Sequence, residues 1–177
     1  MIGVLVDNSD ALLLQARKDA DARRAYAEQH GYKNYGGGRV QEGDFIGRIA
    51  ELNVAERYGM ESPSSIGNIH SVDVGDIIEA RARDVHARTG LDLLIRAKDK
   101  SDVPHVLVLV NLPMKKSQIV GWLLAREAIW LARQNGNCWY NSATQGWYIP
   151  FWLLHSVKSL DDWVIAGAPP FRWRPPE

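Results

Sequence analysis

The sequence predicts a single α/β domain in which α-helices flank a central mixed β-sheet. Three observations carry that expectation. Apolar residues recur at helical spacing through the first 60 residues. From about residue 70 the pattern changes to β-branched residues in short alternation. The run "HVLVLVNL" (105–112) is apolar on both faces, as a strand covered on both sides must be. The chain has 177 residues, a length that suits one domain with a sizeable core.

Ser9 or Asp10 can cap a helix over "DALLLQARKDADARRAYAEQHG" (10–31). Its residues Leu13, Ala16, Ala20 and Ala27 recur near helical spacing, and Gly31 stops it. The three consecutive glycines of "YKNYGGGRVQEGD" mark a flexible connector. No Lys-Ser/Thr follows them and no strand precedes, so they do not read as a phosphate cradle. A second helix runs roughly from Asp44 to Tyr58, with Phe45, Ile49, Leu52 and either Ala55 or Glu56 on one stripe and Gly59 at its end. "HSVDVGDIIEARARDV" (70–85) and "LDLLIRAKD" (91–99) read as extended chain. Asn111 to Met114 turns the chain after the apolar strand. "QIVGWLLAREAIWLARQNG" (118–136) reads as a strand end leading into a helix, "GWYIPFWLL" (146–154) as a short strand or loop, and "SLDDWV" (159–164) as a closing helical turn. Residues 1–40 thus hold a helix and a Gly-rich connector, 41–165 the core, and 166–177 a Pro-rich tail.

Composition narrows the function. Apolar residues make up 46% and charged residues 24%, and the formal net charge is zero. A neutral chain does not coat nucleic acid by charge alone, although a local basic groove stays open to it. No apolar run approaches the ~20 residues of a membrane span, and "MIGVLV" lacks the basic lead-in of a secretory signal. The single Cys138 rules out an internal disulfide framework and fits a reducing, cytoplasmic setting.

The stretch "VDVGDIIEARARD" (72–84) is the unusual one. Asp73, Asp76, Glu79, Arg81 and Arg83 crowd an extended segment that a plain buried strand would not charge. Glu79 and Arg81 share a face, because side chains two apart on a strand do. Asp73 precedes Glu79 by six residues, roughly 20 Å in a straight strand at ~3.3 Å per residue. One ion could then not serve both, so the chain must fold back between them. Gly75-Asp76 is the place for it, since Gly tolerates positive φ and Asp favours turns.

An acidic residue on an early helix, then an Asp, then Glu-x-Lys on a strand is the pattern of the PD-(D/E)XK nuclease superfamily, which this chain resembles. "GRIAELNVAERYGM" resembles the helix-borne acidic motif, with Glu51 as its carboxylate. "VDVGDIIEAR" resembles the Asp and Glu-x-Lys motifs set close together, as Asp73 and Glu79-Ala80-Arg81. "LLIRAKD", "HVLVLV" and "IVGWL" resemble the strands that follow in small, often phage-associated members. The likeness covers about residues 40–165, on short motifs. It implies a restriction-endonuclease-like core, hydrolysis of DNA phosphodiesters with Mg²⁺ or Mn²⁺, and a homodimer that cuts both strands. In that scheme Asp73, Glu79 and the Ala80 carbonyl hold the ion, and Glu51 its outer water shell or a second ion. The family's lysine is Arg81 here. Arginine stays protonated and cannot act as a base, but it can stabilise charge developing on phosphate. Lys98 is a candidate for a displaced amine. Arg83, Arg88, Arg96 and Lys98 are candidates for gripping the phosphate backbone.

Each of these residues also has a plainer role. Glu51 can form a solvated ion pair with Arg48, Asp73 and Asp76 can be turn residues, and Glu79 can pair with Arg81 on an exposed sheet face. The first helix, with Arg17, Lys18, Arg23 and Arg24, reads as a solvated surface. His105 reads as a strand-edge residue. Trp139, Tyr140, Trp147 and Tyr148 read as core or rim, with stacking on unpaired bases as the alternative. A second functional expectation keeps the fold and drops cleavage: a binding module for nucleic acid or a protein partner, such as a phage accessory or anti-defence protein.

Overall fold

The computed structural model describes residues 3–31, 40–63, 66, 72–86, 90–134 and 136–169. The Gly-rich connector, Arg88 and the end of the Pro-rich tail lie outside the described residues.

Strand β1 (Val4–Asp7) precedes helix α1 (Asp10–Gln29). Ser9 caps α1, its hydroxyl accepting from the Leu12 amide at 3.1 Å. Gly31 follows the helix at φ +65°, a conformation that glycine adopts without strain. Helix α2 (Val40–Tyr58) begins four residues before the sequence-based boundary and gives way at Gly59, φ +61°. The predicted stripe is the one that packs: Phe45, Ile49 and Ala55 are buried against Ala16 and Ala20 of α1.

The central sheet joins β1, β2 (Glu79–Asp84), β4 (Pro104–Asn111) and β5 (Lys116–Leu124), with β3 (Leu93–Arg96) set apart from it. Its order is β1-β5-β4-β2. The β1–β5 and β5–β4 pairs are antiparallel and the β4–β2 pair is parallel, so the sheet is mixed. A bulge falls opposite Leu107 and Val108, where Val120 is the extra residue of β5. β4 lies inside the sheet and is buried from Pro104 to Val110. Val106, Val108 and Val110 face one core, formed with α1, α2 and helix α4 (Val157–Ile165). Leu107 and Leu109 face a second core. This explains the unbroken apolar run: both faces of the strand are covered.

The second core is closed by helix α3 (Ala125–Gln134) and a small antiparallel sheet, β3-β7-β6, that the sequence pattern did not reveal. Strand β7 (Gly146–Ile149) pairs with both β3 and β6 (Trp139–Asn141). Other expectations need correction too. β1 is a strand although its apolar run is short. "SLDDWV" belongs to a nine-residue helix rather than a single turn. Lys98 falls in the turn after β3, which ends at Arg96. No helix among the described residues is long and apolar enough to cross a membrane.

The functional consequence is the position of β2. It is an edge strand, bonded to β4 on one side only, and α2 packs against it. Ala80 and Ala82 face the α2 side, where small side chains allow close approach. Glu79, Arg81 and Arg83 face the other side.

Candidate functional site

The reversal demanded by the sequence is present. Val74 and Ile78 pair as an isolated antiparallel bridge, exchanging two backbone hydrogen bonds of 3.0 Å each. Gly75 and Asp76 turn the chain at φ +56° and +59°. The fold-back brings Asp73 beside β2, where its Oδ2 accepts from the Ala80 amide at 3.1 Å. That amide points away from β4. The Ala80 carbonyl lies on the same side of the strand, because one residue's N–H and C=O point together.

Glu51, Asp73, Glu79, Ala80 and Arg81 all line one pocket of about 440 Å³ at this sheet edge. Arg23, Arg83 and Arg96 also line it. Burial pushes the Asp73 pKa up to about 7, and the charges of Glu51 and Glu79 add to the effect. Burial also raises Glu79, while the Arg81 guanidinium opposes the shift. Asp44, from the first turns of α2, is raised by burial as well.

Glu51 sits in a network that the sequence did not disclose. It is only 6% exposed. Arg23 of α1 grips it with both terminal nitrogens, at 3.0 and 2.7 Å. Arg48 donates to Glu51 Oε2 at 2.8 Å and to Asp19 at 2.7 Å. Arg48 also donates to the Ser62 hydroxyl and carbonyl, both at 2.6 Å. The Ser62 hydroxyl in turn donates to the Asp73 carbonyl at 2.9 Å. The Glu51–Arg48 pair is therefore buried rather than solvated, and α1 contributes a charge to the pocket rather than standing as a solvated surface.

Arg81 bridges two carboxylates, Glu79 at 3.2 Å and Asp99 at 3.0 Å. The other Asp99 oxygen accepts from the Arg96 amide at 2.8 Å. His105, read as a strand-edge residue, is the second residue of β4 and is buried. It is 1% exposed, in register with Glu79 on β4, and faces the Lys100 carbonyl at 3.5 Å. Burial, reinforced by Arg81, lowers its pKa to about 4, so its ring is neutral at ordinary pH. Asp99 and His105 carried no local signal of a site: one closes the predicted extended run 91–99 and the other starts the next strand.

Of the proposed phosphate-gripping residues, Arg83 and Arg96 line the acidic pocket, and Lys98 lines a neighbouring one. Arg83 is tied to the Asp92 carbonyl at 3.0 Å and lies 5.0 Å from the Tyr148 ring centre.

Among the described residues no group of three or more His, Cys, Asp and Glu side chains stands close enough to hold a metal ion. The donor set at the sheet edge is smaller: two carboxylates, Asp73 and Glu79, and the Ala80 carbonyl. Mg²⁺ commonly takes one or two protein carboxylates and completes its shell with water, so hard oxygen donors of this number fit it. The raised Asp73 pKa is the physical sign of negative charge crowded at low solvation. No family model matches this sequence, and comparison with curated proteins gives no match.

Proposed function

We propose that the pocket at the β2 edge is a divalent-metal site for hydrolysis of DNA phosphodiesters, in the manner of the PD-(D/E)XK nucleases. One observation carries the reading: the Val74–Ile78 hairpin returns Asp73 to Ala80, beside Glu79, where burial and like charges push its pKa to about 7. Asp73, Glu79 and the Ala80 carbonyl would hold Mg²⁺ or Mn²⁺. Such an ion supplies Lewis acidity to a phosphoryl oxygen and lowers the pKa of a bound water. Glu51, held by Arg23 and Arg48, would stand behind the pair, at the ion's outer water shell or a second ion. Arg81 donates hydrogen bonds and cannot take up a proton, so its part is to stabilise charge on the phosphate. Arg83 and Arg96 add positive charge at the rim. A homodimer would bring two such pockets together.

The test is a Mn²⁺ titration at pH 8 that follows thermal stability and plasmid nicking together. Wild type gains melting temperature and nicks the plasmid, whereas Asp73→Ala and Glu79→Ala do neither. Wild type with no shift and no nicking removes the metal site.

A second reading has a specific observation in its favour. Arg81 is already bound to Glu79 and Asp99, so the position of the family's lysine is filled by a guanidinium engaged in ion pairs. On this reading the pocket binds nucleic acid or a protein partner and does not cut. An Arg81→Lys variant that gains metal-dependent nicking where wild type has none supports it. Equal nicking by the two proteins refutes it.

A further inference from the structure

A second depression adjoins the acidic pocket, and its chemistry is different. It encloses about 600 Å³, within the roughly 300–1,000 Å³ usual for small-molecule sites. Arg96, Lys98, Tyr140, Thr144 and Gln145 line it. Arg96 lines the acidic pocket as well, so the two cavities share a wall.

The lining holds two cations and, among the described residues, no carboxylate. Neither the Arg96 guanidinium nor the Lys98 ammonium makes an ion pair among the described residues. Tyr140 is 50% exposed on strand β6, an edge strand of the small sheet. Its ring rests against Trp147, with centroids 5.0 Å apart and planes tilted by 58°. The contact braces one side of the tyrosine and leaves half of it to solvent. Thr144 and Gln145, from the turn between β6 and β7, line the same cavity, the Thr144 hydroxyl donating to the Asn141 carbonyl at 3.3 Å.

Cations that bind phosphate, an exposed aromatic face and side-chain donors and acceptors together match a nucleotide. They match an unpaired one in particular, because the faces of a base inside a duplex are already covered by its neighbours. We propose that this cavity binds an unpaired nucleotide next to the phosphodiester in the acidic pocket, so that the substrate is single-stranded or carries a single-stranded segment. Arg96 and Lys98 hold its phosphates, Tyr140 stacks on its base, and Thr144 and Gln145 meet the base edge. The adjacency rests on the acidic pocket being the phosphodiester site; the binding itself does not need metal.

The experiment is fluorescence anisotropy of a short fluorescein-labelled oligothymidylate, with the full chain in EDTA and a blunt duplex as comparator. Wild type binds the single strand more tightly than the blunt duplex. Tyr140→Ala weakens single-strand binding about tenfold, a loss typical of one stacked base, while Tyr140→Phe retains it. Arg96→Ala and Lys98→Ala each lower the slope of log affinity against log salt by roughly one. Tyr140→Ala binding as well as wild type overturns the proposal, and so does equal affinity for strand and duplex. Because EDTA prevents cleavage, Tyr140-dependent binding stands even where plasmid nicking is absent. Conversely, nicking without such binding leaves the metal site and removes this one.

Discussion

Replacing Arg48 tests whether the pocket is built on a buried ionic network or merely bordered by one. Arg48 is 3% exposed and meets Asp19, Glu51 and Ser62 through four hydrogen bonds of 2.6 to 2.8 Å. Arg48→Ala leaves the Asp19 carboxylate without this partner and strips Glu51 of one of its two guanidinium contacts. Breaking a buried ion pair on one side costs about 3–5 kcal/mol, against about 0–1 kcal/mol for an exposed pair. The Ser62 bonds do not add in full, since groups in one network are not independent. Taking ~4 kcal/mol, a domain of this size loses roughly 8–16 °C in melting temperature. That is a large share of the ~5–15 kcal/mol by which domains are stable. Arg48→Lys, which keeps the charge and loses the planar fork, falls between the two. The assay is urea unfolding of wild type, Arg48→Ala, Arg48→Lys, Glu51→Gln and the Arg48→Ala/Glu51→Gln pair. The double variant is less destabilised than the sum of the singles, because Glu51→Gln removes part of the stranded charge. A loss below ~1 kcal/mol for Arg48→Ala, with additive singles, would refute the argument.

Asp73→Asn keeps the acceptor for the Ala80 amide and removes the buried charge, so it raises apo stability at pH 8. The sign follows from the raised pKa. The stabilisation that Asp73 gives as a neutral acid is complete below about 3.8 and is lost as pH rises through about 7. The gain at pH 8 is on the order of a few kcal/mol and vanishes near pH 4; melting curves at the two pH values read it, and equal curves at pH 8 count against a buried charge. Gly75→Ala forces a side chain into φ +56° and sets its Cβ 2.8 Å from Met60 Sδ. It costs about 1–2 kcal/mol in urea unfolding and weakens Mn²⁺ binding, whereas an unchanged Mn²⁺ affinity would mean that the hairpin does not position Asp73.

What the sequence could reveal followed how local the determinant was. The Gly75-Asp76 reversal was legible because two adjacent residues tolerant of positive φ stood between carboxylates that only a turn could bring near. The inner position of β4 was legible because "VLVLV" has no polar face. The stripe of α2 was legible from its period. Of the small sheet, β3 and β7 fall within the predicted stretches 91–99 and 146–154, but β6 did not show, because Trp139–Asn141 is three residues long and has no alternation to detect. β1 was passed over for the same reason, as it has four residues and its pairing with β5 is set by register alone. The ionic network was out of reach for a different reason. Arg23 and Glu51 are 28 positions apart, and Asp19 and Arg48 are 29 apart. Helical spacing says which face of α1 a residue occupies, not that α2 will bring a carboxylate to it.

Asp99 shows how such a long-range contact can govern the pocket. Arg81 is shared, with Glu79 at 3.2 Å and Asp99 at 3.0 Å. On the proposed metal reading, a cation at Asp73 and Glu79 would compete with that guanidinium for Glu79, so its affinity would depend on how firmly Arg81 is held elsewhere. Asp99 is suited to hold it: its second oxygen is fixed by the Arg96 amide at 2.8 Å. Asp99→Asn keeps a side-chain oxygen for that amide and loses the charge on the side facing Arg81. Arg81 then settles on Glu79 alone. A charge-assisted hydrogen bond is worth about 1.5–3 kcal/mol, so the lost competition lowers Mn²⁺ affinity by roughly tenfold or more. Calorimetric titration of Mn²⁺ into wild type and Asp99→Asn at pH 8 measures it. Arg81→Met is the companion variant. It frees Glu79 outright, so it binds Mn²⁺ at least as tightly as wild type, and adding Asp99→Asn to it has no further effect. Unaltered affinity in Asp99→Asn, or an equal loss whether or not Arg81 is present, would show that Asp99 acts on the turn after β3 and not through the guanidinium.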